Sequence, residues 1–380
     1  MNSAKYRFPV VRPAVPAVEA WLPFLRESYD RHWFANFGPA ATRFEAALAA
    51  EFGEPGEAFV AASSATSGLA ACLIAERITG TVLFPAFTFA ASASAIRMAG
   101  AQPMLVDVDT ASWACDLAKL ERALDRTMAE AVMLVSPFGI AQDFSAHVAL
   151  CGARGVAVVI DSAAGLGGEP KGGRGRAYEV YSLHATKPFA IGEGGAIQTA
   201  AHRVERLRAA LNFGLPWAPE RSGAHGINGK MPEVAAAVGM AVLAGYAKTL
   251  AGRRVQAQRY LELTERFDEV TVHRGLADLP WQVFPCLMPS PDSVDEFVEE
   301  AARRGLEARR YYRPSLSQWG GIAAAGDCSV SEMLADRMIC LPIYSDGSDQ
   351  EIAELHGVVD ACLDKVLSVS ARPRIYVSAA

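Results

Sequence analysis

Between residues 57 and 200 the chain alternates between two kinds of segment. Short, nearly uninterrupted apolar runs occur at Phe59 to Ala62, Thr81 to Phe84, 103–109 (PMLVDVD), 131–136 (AVMLVS) and 156–161 (VAVVID). Between them lie stretches with helical spacing: LAACLIAERI, Ala90 to Ala99, LAKLERALDR and Phe144 to Arg154. A strand wetted on one face alternates apolar and polar residues, whereas one covered on both faces reads as a continuous Val/Ile/Leu run. Continuous runs joined by amphipathic helices therefore predict an α/β fold with a mostly parallel sheet between helices. In such folds ligands bind beyond the carboxyl ends of the strands. Thr66, Phe89 and Asp161 all fall at or just past strand ends on that side.

The alternation stops near residue 214. The segment GLPWAPERSGAHGINGK, Gly214 to Lys230, is longer than an ordinary connection, which points to function or a subunit contact. After it come the helical pattern AKTLAGRRVQAQRYLELTERF, strands EVTVHR and WQVFPCLM, a helix DSVDEFVEEAARRG, and YYRPSLSQW before a final helical segment. The reading is a large domain over 1–245 and a smaller C-terminal α+β domain over 246–380, in keeping with a length of 380 residues.

Charge and cysteine content narrow the function. A formal net charge of −6 without a basic cluster argues against a nucleic-acid partner. The 7 cysteines are scattered without a CxxC pair, against both a disulfide framework and a zinc site, and no metal spacing emerges from the histidines. MNSAKYRFPVVRP has no apolar signal core, so a cytoplasmic place is expected. The most apolar helix candidate, Pro232 to Gly252, carries Glu233 and Lys248 and suits an internal or subunit-contact helix better than a membrane span.

The chemistry centres on YSLHATKPFAIGEGGAIQT, Tyr181 to Thr199. Lys187 sits on a small-residue, Gly-rich turn between two strands, where partial desolvation disfavours the ammonium and makes the amine a better nucleophile toward a carbonyl. That is what a Schiff-base lysine requires. Asp161 closes an apolar strand and needs either a capping role or a cationic partner such as a protonated pyridine nitrogen. SSATSG, Ser63 to Gly68, opens a helix, where backbone N–H groups can hold phosphate or simply be capped. Phe89 alone reads as core, and His184 as packing. GGEPKGGRG is not a P-loop, and no GxGxxG follows the first strand.

Taken in order, NFGPAATRFE, SSATSGL, PAFTFAASASAIRMAGAQPMLVDVD, VIDSAAG, SLHATKPFAIGEGGAIQT and INGKMPEVAAAVG resemble the DegT/StrS-type sugar aminotransferases. The resemblance runs from about Phe34 to CLPIYSDGSDQEI. It implies an aspartate-aminotransferase-like fold and pyridoxal 5'-phosphate as cofactor. Carried over by position, it makes Lys187 the Schiff-base lysine and proton-shuttling base, Asp161 the partner of the pyridine nitrogen, and Phe89 the stacking aromatic. Ala65, Thr66 and Ser182 would hold the phosphate, with Asn228 reaching it from the neighbouring subunit of a homodimer. The implied reaction is ping-pong transfer of an amino group from an amino acid, glutamate, to a keto group of a nucleotide-linked deoxysugar, in nucleotide-sugar and polysaccharide biosynthesis. The alternatives are a sugar dehydratase of the same fold, which would carry histidine in place of Lys187, a non-sugar cyclic ketone as acceptor, and a non-catalytic regulatory relative. Three positions depart from the pattern: Ala164, where Gln, His or Glu is frequent; Lys230, where Arg is common; and Ser315 to Ser317, where a histidine is often found. Substrate choice is expected around FANFGP, 214–230 and YYRPSLS.

Overall fold

The computed structural model describes residues 5–168, 177–215, 225–273 and 279–370, with side chains through 367. Seven strands of the N-terminal part are β1 (Glu57–Ala62), β2 (Thr81–Pro85), β3 (Gln102–Val106), β4 (Ala129–Val135), β5 (Ala157–Asp161), β6 (Tyr178–Ser182) and β7 (Gly195–Ala200). With β9 (Ala323–Ala324) they form one eight-stranded sheet in the order β1-β7-β6-β5-β4-β2-β3-β9. All pairings from β6 to β9 are parallel, and β7 alone runs antiparallel to both its neighbours. The expectation of a mostly parallel, doubly covered sheet holds.

Helices α3 (Ala65–Ala75), α4 (Ala90–Met98) and α7 (Val204–Leu211) bury one face of the sheet with Val60, Leu73, Phe84 and Ile197. On the other, α5 (Leu117–Arg126) and α6 (Ser145–Ala153) pack Leu120 and Val148 against Leu83, Leu134 and Ile160. The chain leaves β2 toward β3 on one side and returns through β4 toward β5 on the other. The β2/β4 crevice is thus the switch point at which such sheets bind ligands.

Before the sheet, α1 (Val18–Asp30) and α2 (Pro39–Phe52) lie against α8 (Glu233–Thr264). α8 is one unbroken helix where the sequence suggested two overlapping segments, because its internal glycines 239, 245 and 252 keep helical geometry. By length and composition it could cross a membrane; here it buries Ala236, Val238, Tyr246 and Leu250 against neighbouring elements. Beyond it, β8 (Val283–Leu287) and β10 (Met338–Pro342) pair antiparallel, flanked by α9 (Pro291–Arg303), α10 (Ser329–Arg337) and α11 (Asp349–Ser370). EVTVHR does not form a strand within the described residues; only Thr271 bridges to Leu287, and Arg274 lies outside them. All seven cysteines are free and buried.

Candidate functional site

Lys187 rides the turn that reverses the chain from β6 into β7. Leu183 N–H donates to Gly194 O at 2.9 Å, Ala185 N–H to Gly192 O at 2.7 Å and Lys187 N–H to His184 O at 2.8 Å. Gly192 has φ +99°, a left-handed conformation open to glycine, which accounts for one residue of the Gly-rich signature. His184 was expected to pack; instead its Nδ1 lies 3.1 Å from the Thr186 N–H as acceptor, and its Nε2 lies 3.4 Å from Glu193. It ties the two limbs of the turn together.

The Lys187 amine donates to Gln282 Oε1 at 2.8 Å. Burial lowers its pKa from 10.5 to about 8, against the opposing pull of the Asp161 carboxylate. Asp161 ends β5 and is 6% exposed. Its Oδ2 accepts from Ser92 Oγ at 2.8 Å and its Oδ1 from the Ala163 N–H at 3.1 Å. Burial raises its pKa; Ser92, the Lys187 cation and the Ala163 amide act the other way. A buried acid thus lies within electrostatic reach of a partly buried base, and each still has capacity for a polar partner.

Ser92 is buried on the first turn of α4 and also contacts Thr88 Oγ1 at 3.0 Å. Phe89 precedes that helix and is 59% exposed, so the reading of Phe89 as core, taken alone, is corrected. A large exposed ring held next to the Thr88–Ser92–Asp161 chain is available to a planar ligand.

The second limb of the site is built around Gly195. It pairs with Ala62 on β1 and Ser182 on β6. A Cβ at this position would lie 2.6 Å from the Ser64 carbonyl and 2.7 Å from the Ala65 nitrogen. The missing side chain lets the start of α3 settle onto the sheet beside Ser182. Ser64 caps α3 reciprocally with Ser67, and the amides of Ala65 and Thr66 have no hydrogen-bond partner among the described residues. Open amides at a helix start are an anion site.

Asn228 is exposed, and its Oδ1 accepts from Lys230 Nζ at 2.8 Å. Its segment runs beside the same turn, with Ser63 N–H donating to Gly229 O at 2.7 Å. The described contacts do not join Asn228 to Lys187 or Asp161. Of the 214–230 loop, residues 216–224 lie outside the described residues. Ala164 is buried, and its carbonyl is packed so tightly on Gly139 that a Cβ there would meet it at 2.3 Å.

Gln282 and Arg253 carry no local sequence signal, whereas Tyr312 lies in the YYRPSLS segment expected to bear on substrate choice. Gln282 reaches Lys187 from 95 positions away. Arg253 of α8 holds the turn before β8, and Tyr312 stacks on Phe138 at 5.3 Å and meets Phe87 edge-on at 5.2 Å. YYRPSLS therefore seats on the ends of β2 and β4, as Ser315 Oγ donating to Ala86 O at 3.3 Å also requires. Ser92 was legible in principle, as a small polar residue on the buried face of an apolar helix.

A buried acid, a half-buried amine of lowered pKa, an exposed ring and open helix-start amides suit a phosphorylated, aromatic carbonyl compound with a basic ring nitrogen. Pyridoxal phosphate has each of those features, and the residues present fit it.

Residues 19–360 match the DegT/DnrJ/EryC1/StrS aminotransferase family. A Mycobacterium bovis protein, Mb3436c, is 31% identical over 93% of this chain and 89% of its own length. The dTDP-4-amino-4,6-dideoxy-D-glucose transaminase of Escherichia coli is 27% identical over 91% of this chain and 96% of its own. Among solved structures, DesI in the presence of its TDP-sugar product superposes with a TM-score of 0.84 at 27% identity, covering 96% of this chain and 94% of that one.

Proposed function

Because the chain belongs to the DegT/DnrJ/EryC1/StrS aminotransferase family and is a pyridoxal-phosphate-dependent transaminase, we propose that it aminates a keto group on a nucleotide-linked deoxysugar, with L-glutamate as donor. The observation that carries this reading is the Lys187 amine, with its pKa lowered to about 8, facing the buried Asp161 carboxylate. The names of the Escherichia coli relative and of the DesI structure support a nucleotide-sugar acceptor.

When bound, pyridoxal phosphate supplies a carbonyl that condenses with amines and a conjugated ring that delocalises charge from the adjacent carbon. In this reading Lys187 would hold it through its amine and, when that amine is free, would act as the base of a 1,3-proton shift between two carbons separated by one nitrogen. Asp161 would keep a proton on the ring nitrogen, with Ser92 engaging one of its carboxylate oxygens. Phe89 covers the ring. The Ala65 and Thr66 amides and the Ser182 hydroxyl hold the phosphate, with Asn228 contributed by the second subunit of a homodimer. Donor and acceptor then use one site in turn, which is ping-pong kinetics. A large unit over 1–245, a small one over 246–380 and a cytoplasmic place complete the reading; the free cysteines support the last.

The test is a screen of nucleotide-linked 3- and 4-keto sugars and of cyclic ketones with glutamate, using wild type and Lys187→Ala. We expect Lys187→Ala to lose at least ~10⁴-fold in turnover. Near-normal transamination by that variant would overturn the assignment, and a cyclic ketone as the best acceptor would replace the sugar. A wild-type protein that takes up cofactor yet shows no spectral response to any amino donor would be a regulatory relative.

A further inference from the structure

The turn that carries Gln282 is held more firmly than a connection needs. Arg253, 4% exposed in the middle of α8, donates to the carbonyl oxygens of Pro280 at 3.2 Å, Trp281 at 2.8 Å and Gln282 at 2.9 Å, and to Ser345 Oγ at 2.7 Å. Burial brings the Arg253 pKa down to about 10, so this guanidinium sits there against a desolvation penalty. Between those carbonyls Trp281 adopts φ +49°, a conformation that bulky residues rarely take. Such a conformation persists where its surroundings over-determine it. Its outcome is the direction of the next side chain: Gln282 Oε1 lies 2.8 Å from Lys187 Nζ.

We propose that Gln282 is a positioning residue for Lys187, its side-chain carbonyl aimed by the Arg253-clamped turn so that the amine is held in its reacting orientation. The proposal rests on the reading of Lys187 as the cofactor-binding lysine. A lysine amine sits on a flexible four-carbon stem with three donors, so one fixed acceptor removes much of its rotational freedom. An uncharged acceptor does this without adding to the negative charge that Asp161 already presents from β5. Near that carboxylate the Tyr312 phenol keeps its proton, pushed up by burial and then by Cys340 and Asp161. A carboxylate at position 282 would hold the amine equally well in space but would favour the unreactive ammonium. Position and protonation can therefore be separated by mutation.

The experiment uses the full chain as wild type, Gln282→Glu and Gln282→Ala. Each is offered pyridoxal phosphate across a pH series and trapped with borohydride, and the peptide bearing Lys187 is quantified by mass spectrometry. Wild-type capture should rise through pH about 8. Gln282→Glu, nearly isosteric, should move that profile upward by about one unit, or about tenfold less capture at fixed pH below it. Gln282→Ala should leave the midpoint where it is or lower it, and reduce the plateau rate by about tenfold. Labelling of Lys187 in wild type with both variants unmoved in midpoint and plateau overturns the role of Gln282 alone. Absence of Lys187 labelling in wild type at every pH overturns the functional reading, and this inference with it. Gln282→Glu keeps the test open if Gln282→Ala folds poorly.

Discussion

Lys187 and Asp161 are each less stable in their places than they would be in water, because burial disfavours both charges more than their attraction offsets it. For Lys187 the consequence has a definite pH window. The unfolded chain holds this proton up to its ordinary 10.5 and the folded chain only to about 8. Between those values the unfolded state binds more protons, so wild-type stability rises with pH across that window. Lys187→Met lacks this contribution. It should therefore melt above wild type at pH 7, with the gap narrowing as the pH climbs through 8 to 10.5. A calorimetric series on cofactor-free protein checks this, and a gap that widens with pH would contradict it. Asp161→Asn keeps the shape but cannot hold a positive ring nitrogen, so turnover should fall by at least ~10²-fold with the fold intact by circular dichroism. Both residues were legible because each follows a local pattern, a strand-ending acid and a lysine on a Gly-rich turn. Gln282 and Arg253 were not, because their roles exist only once segments 95 and 29 positions apart have met.

Among the elements, α2 depends on a residue from another helix. Its start at Pro39 has no side-chain cap of its own. Glu233, wholly buried at the first turn of α8, accepts from the Ala40 N–H at 2.6 Å, the Ala41 N–H at 3.2 Å and Ser28 Oγ at 2.8 Å. Glu233→Ala strands these donors and should lower stability by about 3 kcal/mol, measured by urea unfolding. The close approach at Gly195 gives a different signature. Gly195→Ala must displace the Ser64–Ala65 peptide, so pyridoxal phosphate should bind at least ~10-fold more weakly, measured by titration. The covered strands could be read from their apolar runs, since burial on both faces leaves that imprint. β9 could not: two alanines, Ala323 and Ala324, carry no strand signal and join the sheet only because Met104 and Leu105 on β3 offer a free edge. EVTVHR misled in the opposite direction, having strand composition but, among its described residues, a single bridging partner.

At the scale of the whole molecule, the shared-site reading of Asn228 predicts complementation. Asn228→Ala and Lys187→Ala chains, each impaired alone, should recover activity when dissociated and reassociated together. The mixed dimer would hold one site with both residues intact, whereas Asn228 acting within its own chain would restore nothing. Exposed Phe213 and Leu215, with Lys230 4.4 Å from the Phe213 ring centre, place apolar surface beside that residue, as a subunit contact would need. The fold was legible at this scale because the order of strands and helices dictates the sheet. The identity of the acceptor was not, since it depends on surfaces built from distant loops.

The reversal from β6 into β7 puts Lys187 in a hairpin paired from Glu179↔Gln198 to Ser182↔Gly195, whose outer edges pair with β5 and β1, strands that precede it in the chain. During synthesis that hairpin, Asp161 and Ser92 all leave the ribosome before Gln282 exists, and before the Tyr312 segment that closes the β2/β4 crevice. A nascent chain can thus pair most of its sheet before Gln282 is there to hold the Lys187 amine. Under the proposed roles of Lys187 and Gln282, a positioned amine arrives with the last third of the chain, so an interrupted translation product would fold in part without acquiring it.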